Sequence, residues 1–212
     1  WIFKSRLGQI EKFKQEPHSV QQITLFELLE AAKGTELGRA YRFDAIKSYA
    51  DFAAAVPIFD YESFAPYLEK NIKGKQQVFW PSTIQWFAKS SGTTGGRSKY
   101  IPVSDESLEE CHYKGGKDMV SLYVSNFPDT KVFTGKSLTV GGTLEKDLLH
   151  PKGIARAGDV SAVIMHNLPI WAQFIRTPSL ETALMSDWEA KTERMARETM
   201  DENVASIAGV RT

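Results

Sequence analysis

Cysteine is all but absent from this chain, and Cys111 alone cannot close an internal disulfide. A disulfide framework is therefore excluded and a reducing compartment is the default. Excess charge of either sign is missing as well: Lys+Arg and Asp+Glu are 26 each. No global field then points to nucleic acid or to an anionic membrane, and any anion site must be local. No uninterrupted apolar run approaches a membrane span and no signal-peptide pattern opens the chain, which predicts a cytoplasmic location and no membrane partner. Histidines are few and scattered (His18, His112, His150, His166) without zinc-type spacing, so protein ligation of a metal is not expected. A G-x-S-x-G elbow and a G-x-G-x-x-G fingerprint are both lacking, which removes support for Ser/His/Asp hydrolysis and for a Rossmann cofactor site. The paired Glu109-Glu110 reads as helix surface, and Cys111, inside an expected helix, reads as core filler.

What the chain does have is a stretch that concentrates hydroxyls, glycines and one lysine: Ser90-Ser91-Gly92-Thr93-Thr94-Gly95-Gly96-Arg97-Ser98-Lys99. Glycines let a backbone approach a ligand closely, and exposed amides with Ser/Thr hydroxyls donate to anionic oxygens. Lys99 adds positive charge. The flanks Ile84–Lys89 and Tyr100–Val103 are β-compatible, so the stretch is expected to join two strands. It is not a Walker A loop, because Arg97 stands where the second glycine should be and Tyr100 follows the lysine. Read from residue types alone, it is either a phosphate-gripping loop or a solvated hairpin loop.

Along the chain, Phe3, Leu7, Ile10 and Phe13 recur at helical steps up to Pro17. Thr24-Leu25-Phe26-Glu27 has the form of a capping box and predicts a second helix ending at Gly34. Ser48 and Asp60 predict further helix starts; Pro66 predicts a break and restart, and Gly74 a terminator. The first third is thus expected to be helical, followed by short strands over 77–81 and 84–88. Ser104-Asp105-Glu106 predicts a helix with Leu108, Cys111, Gly115, Met119 and Leu122 on its inward stripe, where Gly115-Gly116 implies close packing or room for a ligand. Strand material is expected around Val132, Phe133, Leu138 and Val140, a turn or close approach at Gly141-Gly142, and a charged loop over 145–158. Thr177-Pro178 predicts a helix start and Ser186-Asp187-Trp188-Glu189 a second capping box, with a helix to about Val204 whose Glu193–Glu198 run is a solvated face.

S-S-G-T-T-G-x-x-K followed by Pro102 resembles the first signature of the adenylate-forming enzymes, in the version of the GH3 family of acyl acid amido synthetases. Similar landmarks run through nearly the whole chain in the right order: Thr35–Arg39, Pro66–Glu69, Gly135–Leu138, Gly141-Gly142, Gly158–Ala162, Asn167–Pro169 and Asp187–Glu189. The resemblance implies an α/β fold: the N-terminal portion of the large adenylate-forming domain, with a helical lead-in over about 1–76, then the signature loop and a mixed sheet with flanking helices over about 77–212. It implies ATP with Mg2+, a small-molecule carboxylic acid activated as an acyl-adenylate, and an amino acid amine that captures the acyl group as an amide. Ser90, Ser91, Thr93 and Thr94 would hold phosphate oxygens, Gly92, Gly95 and Gly96 would permit the approach, and Lys99 with Thr93 would carry the catalytic charge neutralisation. In relatives the helix after the loop helps form the acid pocket; the comparable residues are Lys114, Lys117 and Asp118, although Lys114 and Asp118 also stand i,i+4 as a surface ion pair. Arg156-Ala157-Gly158-Asp159 falls too early, with Ala155 in place of the tyrosine, to be the family's ribose motif. The later ribose-binding and C-terminal lid segments are not matched, so the chain is expected to be a fragment without turnover of its own. Two other readings stay open: a thioester-forming relative that uses coenzyme A, and a nucleotide-binding fragment. Oligomeric state has no sequence signal.

Overall fold

Helices begin in this chain where a short polar side chain can accept from the first free amides. Ser48 accepts from the Asp51 amide at 3.1 Å, Asp60 from Ser63 at 2.7 Å, Ser104 from Ser107 at 3.0 Å and Asp187 from Ala190 at 2.9 Å. The computed structural model describes residues 2–90 and 98–209, which divide into two units.

The first unit holds the chain up to Gln85, Pro102–Tyr123 and Leu148–Ala155. It is helical: α1 (Ile2–Gln15), α2 (Pro17–Ala32), α3 (Glu36–Ala40), α4 (Tyr49–Ala55) and α5 (Tyr61–Ile72). Pro17 does end α1, but it also starts α2 at its first turn, where a missing amide costs nothing. The Thr24–Glu27 box is therefore interior to α2 and caps nothing, a correction to the sequence reading. Pro66 lies inside an unbroken α5 rather than at a restart, near enough to the Asp60 cap that the turn on either side is held by Phe64 and Tyr67, each packed on Phe59. Gly74 closes α5 with φ 105°, a conformation glycine adopts freely. The strand expected over 77–81 does not form. The Gln77 and Val78 carbonyls instead accept from the Glu36 and Leu37 amides at 3.0 and 2.8 Å, closing the start of α3. Glu36 itself is held down to about 2 by hydrogen bonds from Lys70 and Lys75.

After β2 (Tyr100–Val103), α6 (Asp105–Ser107) runs through a π-helical stretch, Leu108–Tyr113, into α7 (Lys114–Asn126). The wider π turn inserts an extra residue and rotates the succeeding turns of helix about the axis. Leu108 and Ser121 are buried, whereas Cys111, Gly115, Met119 and Leu122 are exposed, so the expected stripe is displaced and Cys111 is not core filler. A Cβ at Gly115 or Gly116 would meet nothing within 4 Å, which overturns the close packing expected there.

The second unit comprises Trp86–Ile101, Val124–Asp147 and the chain from Arg156 onward. It contains β1 (Trp86–Lys89), β3 (Lys136–Val140), β4 (Leu144–Leu148), β5 (Arg156–Gly158), α8 (Val160–His166), β6 (Arg176–Thr177), α9 (Leu180–Ala183), α10 (Trp188–Thr199) and β7 (Val204–Gly209). The strands form a four-stranded sheet ordered β2-β1-β5-β4 and a three-stranded sheet ordered β6-β3-β7. Parallel pairs join β1 to β5, with Phe87 opposite Ala157, and β3 to both β6 and β7. Phe87, Ala157, Ala162, Val163 and Ala183 are fully buried. Three expectations need correction. The segment 145–158 carries two strands rather than a loop, with the charged β4 at the sheet edge where charge discourages further pairing; Val132 and Phe133 lie in a turn before β3; and α10 stops at Thr199, so that Val204 starts β7.

Gly141-Gly142 after β3 is a close approach. A Cβ on Gly141 would sit 2.7 Å from Met165 Sδ, and one on Gly142 2.4 Å from the Asp159 side chain. From the other side comes Lys191, 2% exposed, whose ammonium donates to the Gly141 carbonyl. Within the charged run of α10, Arg197 pairs with Glu193 at the surface, but Glu198 turns to the start of α9. Burial pushes its carboxyl upward, and bonds from the Thr182 hydroxyl at 2.6 Å, the Ser179 amide at 2.7 Å and Arg194 Nε at 3.0 Å outweigh that and bring it to about 2.

A carboxyl whose folded-state value lies below its unfolded one stabilises the fold above the unfolded value and ceases to do so as the pH falls through the folded one. Urea unfolding of the wild type should therefore show stability lost between the ordinary carboxylate range and about 2, and Glu198→Gln should lack that component; identical pH profiles would refute it. Gly142→Ala should cost about 1–3 kcal/mol by forcing Asp159 aside, read as a lowered urea midpoint with an unchanged slope.

Candidate functional site

Residues 91–97, which carry Ser91, Gly92, Thr93, Thr94, Gly95 and Gly96, lie outside the described residues. Their two ends do not. Ser90 donates its amide to the Lys99 carbonyl at 2.9 Å, and the Ser90 hydroxyl accepts from the Lys99 amide at 3.1 Å. The stretch thus joins β1 to β2 as expected, with its ends tied one residue after the end of β1 and one residue before the start of β2.

Because β1 and β5 are parallel and Ala88 stands opposite Gly158, the ends of both strands emerge side by side. Ligands of parallel sheets bind beyond such carboxyl ends, where strand-to-helix connections leave backbone amides free. Lys89 pairs with Glu145 of β4 at 2.6 Å, and that hydrogen bond, with lesser help from Tyr100 and Asp159, holds the ammonium above its ordinary value. Asp159, following β5, accepts from the Thr143 amide at 2.8 Å and the Thr143 hydroxyl at 3.3 Å. The Gly142 amide donates to the Ser161 hydroxyl at 2.9 Å. Burial lowers the Lys191 ammonium, with the Asp159 charge opposing. Lys89, Glu145, Asp159 and the Gly141–Thr143 turn therefore form one polar group in the second unit, and Ser90, tied to Lys99, follows Lys89 directly in the chain.

Lys114, Lys117 and Asp118 belong to the other unit. The i,i+4 pair expected between Lys114 and Asp118 is absent. Lys114 bonds back to Glu110, Lys117 stands 4.0 Å from Glu109, and Asp118 takes a bidentate grip from Arg6 at 2.5 and 2.7 Å. Sequence reading missed Lys89, Asp159 and Lys191. Gly158-Asp159 was visible as a landmark, but nothing local signals that Lys191 points inward. Among the described residues no group of three or more His, Cys, Asp or Glu side chains is arranged to hold a metal ion, and no helix is long and apolar enough to cross a membrane.

Residues 6–212 match the GH3 family N-terminal domain. Over 118 residues the chain is 30% identical to indole-3-acetic acid-amido synthetase GH3.2 of Arabidopsis thaliana, covering 54% of this chain and 22% of that protein. Over 104 residues it is 28% identical to jasmonoyl-L-amino acid synthetase JAR6 of Nicotiana attenuata, covering 49% and 18%. The chain therefore spans about a fifth of the length of these relatives. Its fold is shared with the solved GH3.15 acyl acid amido synthetase, with a TM-score of 0.68 at 19% identity over 85% of this chain and 31% of that one. The same enzyme in complex with 2,4-DB superposes at a TM-score of 0.67, with 22% identity over 87% and 32%. With the family's N-terminal domain matched from residue 6 to the end, and with the expected mixed α/β architecture, the chain belongs to the GH3 family.

Proposed function

We propose that this chain is the N-terminal part of an ATP-dependent acyl acid amido synthetase, and that its tied loop holds the ATP phosphates. The observation that carries the reading is the pair of hydrogen bonds between Ser90 and Lys99, which anchors a Ser/Thr/Gly/Lys string at the carboxyl end of a parallel strand pair. The donor set suits the group: hydroxyls of Ser90, Ser91, Thr93 and Thr94 for phosphate oxygens, glycines for close approach, and Lys99 for charge. Protein ligands for Mg2+ are not required, since that ion keeps waters and is carried by phosphates with one or two carboxylates; Asp159 is such a carboxylate beside the strand ends. ATP supplies the adenylyl group that makes the acid's carboxyl a good acyl donor. The chain's own residues position and neutralise, and positioning alone is worth several orders of magnitude in rate.

The acid would be joined to AMP with release of pyrophosphate, and an amino acid amine would then displace AMP to form the amide. Relatives named for indole-3-acetic acid and jasmonoyl conjugation support amide formation with small carboxylic acids. Lys114, Lys117 and Asp118 are the proposed contributors to acid selection, with Glu110, Glu109 and Arg6 as their ion-pair partners.

In the full-length protein, Lys99→Ala should weaken ATP binding by about ten- to a hundredfold, the worth of one charge-assisted hydrogen bond, without lowering the melting temperature; calorimetric titration with ATP and Mg2+ reads it, and equal affinity would sink the loop assignment. Product analysis with candidate acids, ATP, amino acids and coenzyme A should yield acyl amino acids; thioester alone would reverse the reaction class.

A further inference from the structure

We infer that the cavity at the start of the three-stranded parallel sheet binds a small monocarboxylate with an apolar body, anchored by Arg176. The cavity measures about 360 Å³, large enough for an acid of several carbons, and none of the residues assigned above to ATP lines it. Met165, Leu168 and Leu180 supply the apolar wall. Arg176, the first residue of β6, supplies the charge.

The charges in this cavity are already matched except for one. Lys136 bonds to Glu202. Glu198 is satisfied by Thr182, Ser179 and Arg194. The Arg176 side chain has a single hydrogen bond among the described residues, from Nε to the Thr139 hydroxyl at 3.3 Å, and no carboxylate within ion-pair distance. Burial pulls its guanidinium below the ordinary value with no anion acting against that. A partly buried guanidinium with two uncommitted terminal nitrogens is a fork for a bidentate carboxylate. One uncompensated positive charge selects a monoanion: a phosphate dianion or a dicarboxylate would bring a second negative charge against Glu198 and Glu202. A free amino acid gains nothing over a simple acid here, because both glutamates are engaged and its ammonium finds no open acceptor.

The test is calorimetric titration of the full-length protein with sodium hexanoate, beside hexan-1-ol, adipate and inorganic phosphate. Hexanoate should bind measurably, with hexanol, adipate and phosphate each at least about tenfold weaker. Arg176→Met should weaken hexanoate by about ten- to a hundredfold. Arg176→Lys, which keeps the charge but loses the fork, should fall between, and remains informative if Arg176→Met fails to fold. Lys99→Ala should leave hexanoate affinity unchanged, so the outcome is separable from the fate of the loop assignment. No heat with hexanoate, equal hexanoate affinity in folded Arg176 variants, or Arg176-dependent binding of adipate or phosphate tighter than that of hexanoate would each overturn the site.

Discussion

A glycine-rich stretch grips an anion only if its two ends are fixed, because otherwise the entropy of ordering it consumes the binding energy. Here the fixing is done by Ser90 and Lys99. Two hydrogen bonds, one through the Ser90 amide and one through its hydroxyl, close the mouth of the loop against the strands. Ser90 thus has a structural task as well as a proposed ligand task. β1 must be straight and buried for its end to be defined, and Phe87, fully buried opposite Ala157, supplies that.

The second constraint is the turn after β3. Lys191 is a buried cation without a carboxylate hydrogen bond, which is costly to keep in an apolar interior. It is retained against the backbone carbonyl of Gly141, with the Trp188 ring centroid 6.0 Å from the ammonium, and near enough to Asp159 for that charge to offset part of the desolvation. Asp159 is pressed on Gly142 and held by Thr143. A helix, a turn and a strand end are therefore locked together through one ammonium group, and the carboxylate beside β1 and β5 owes its place to that lock.

Helix starts were legible because they depend on one side chain meeting an amide three residues on, as at Ser48, Asp60 and Ser104, whereas the box read on Ser186 is one residue early, the cap of α10 being Asp187. The loop and its two flanking strands were legible for a similar reason, since turn and strand chemistry are both local. What escaped was decided at a distance. Gln77 and Val78 look like strand residues, yet their carbonyls are used by α3, far earlier in the chain. The π stretch at Leu108–Tyr113 has no compositional mark, and it rotates the inward stripe away from the Cys111 and Met119 positions where the helical period places it.

Glycine pairs show the same limit from another side. Gly141-Gly142 and Gly115-Gly116 are indistinguishable as dipeptides, and both invite the reading of close approach. The first pair is crowded on every side by Met165, Ala183 and Asp159, and the second faces open space. The difference lies in their flanks. Gly141-Gly142 follows a buried strand, so the backbone continues through the interior and must leave room for the side chains that pack there. Gly115-Gly116 lies inside a helix whose own backbone satisfies itself, so neighbours are optional and the weakened helical propensity is tolerated because α7 is continuous with two preceding turns of helix. The same reasoning separates the charges of α10: Arg197 and Glu193 face solvent and contribute little, while Lys191 and Glu198, on the side that meets β3 and α9, are each committed to a backbone group of a neighbouring element. Charge identity is written in the sequence, but whether a charge is a solvated face or a structural tie depends on the partner the fold brings to it.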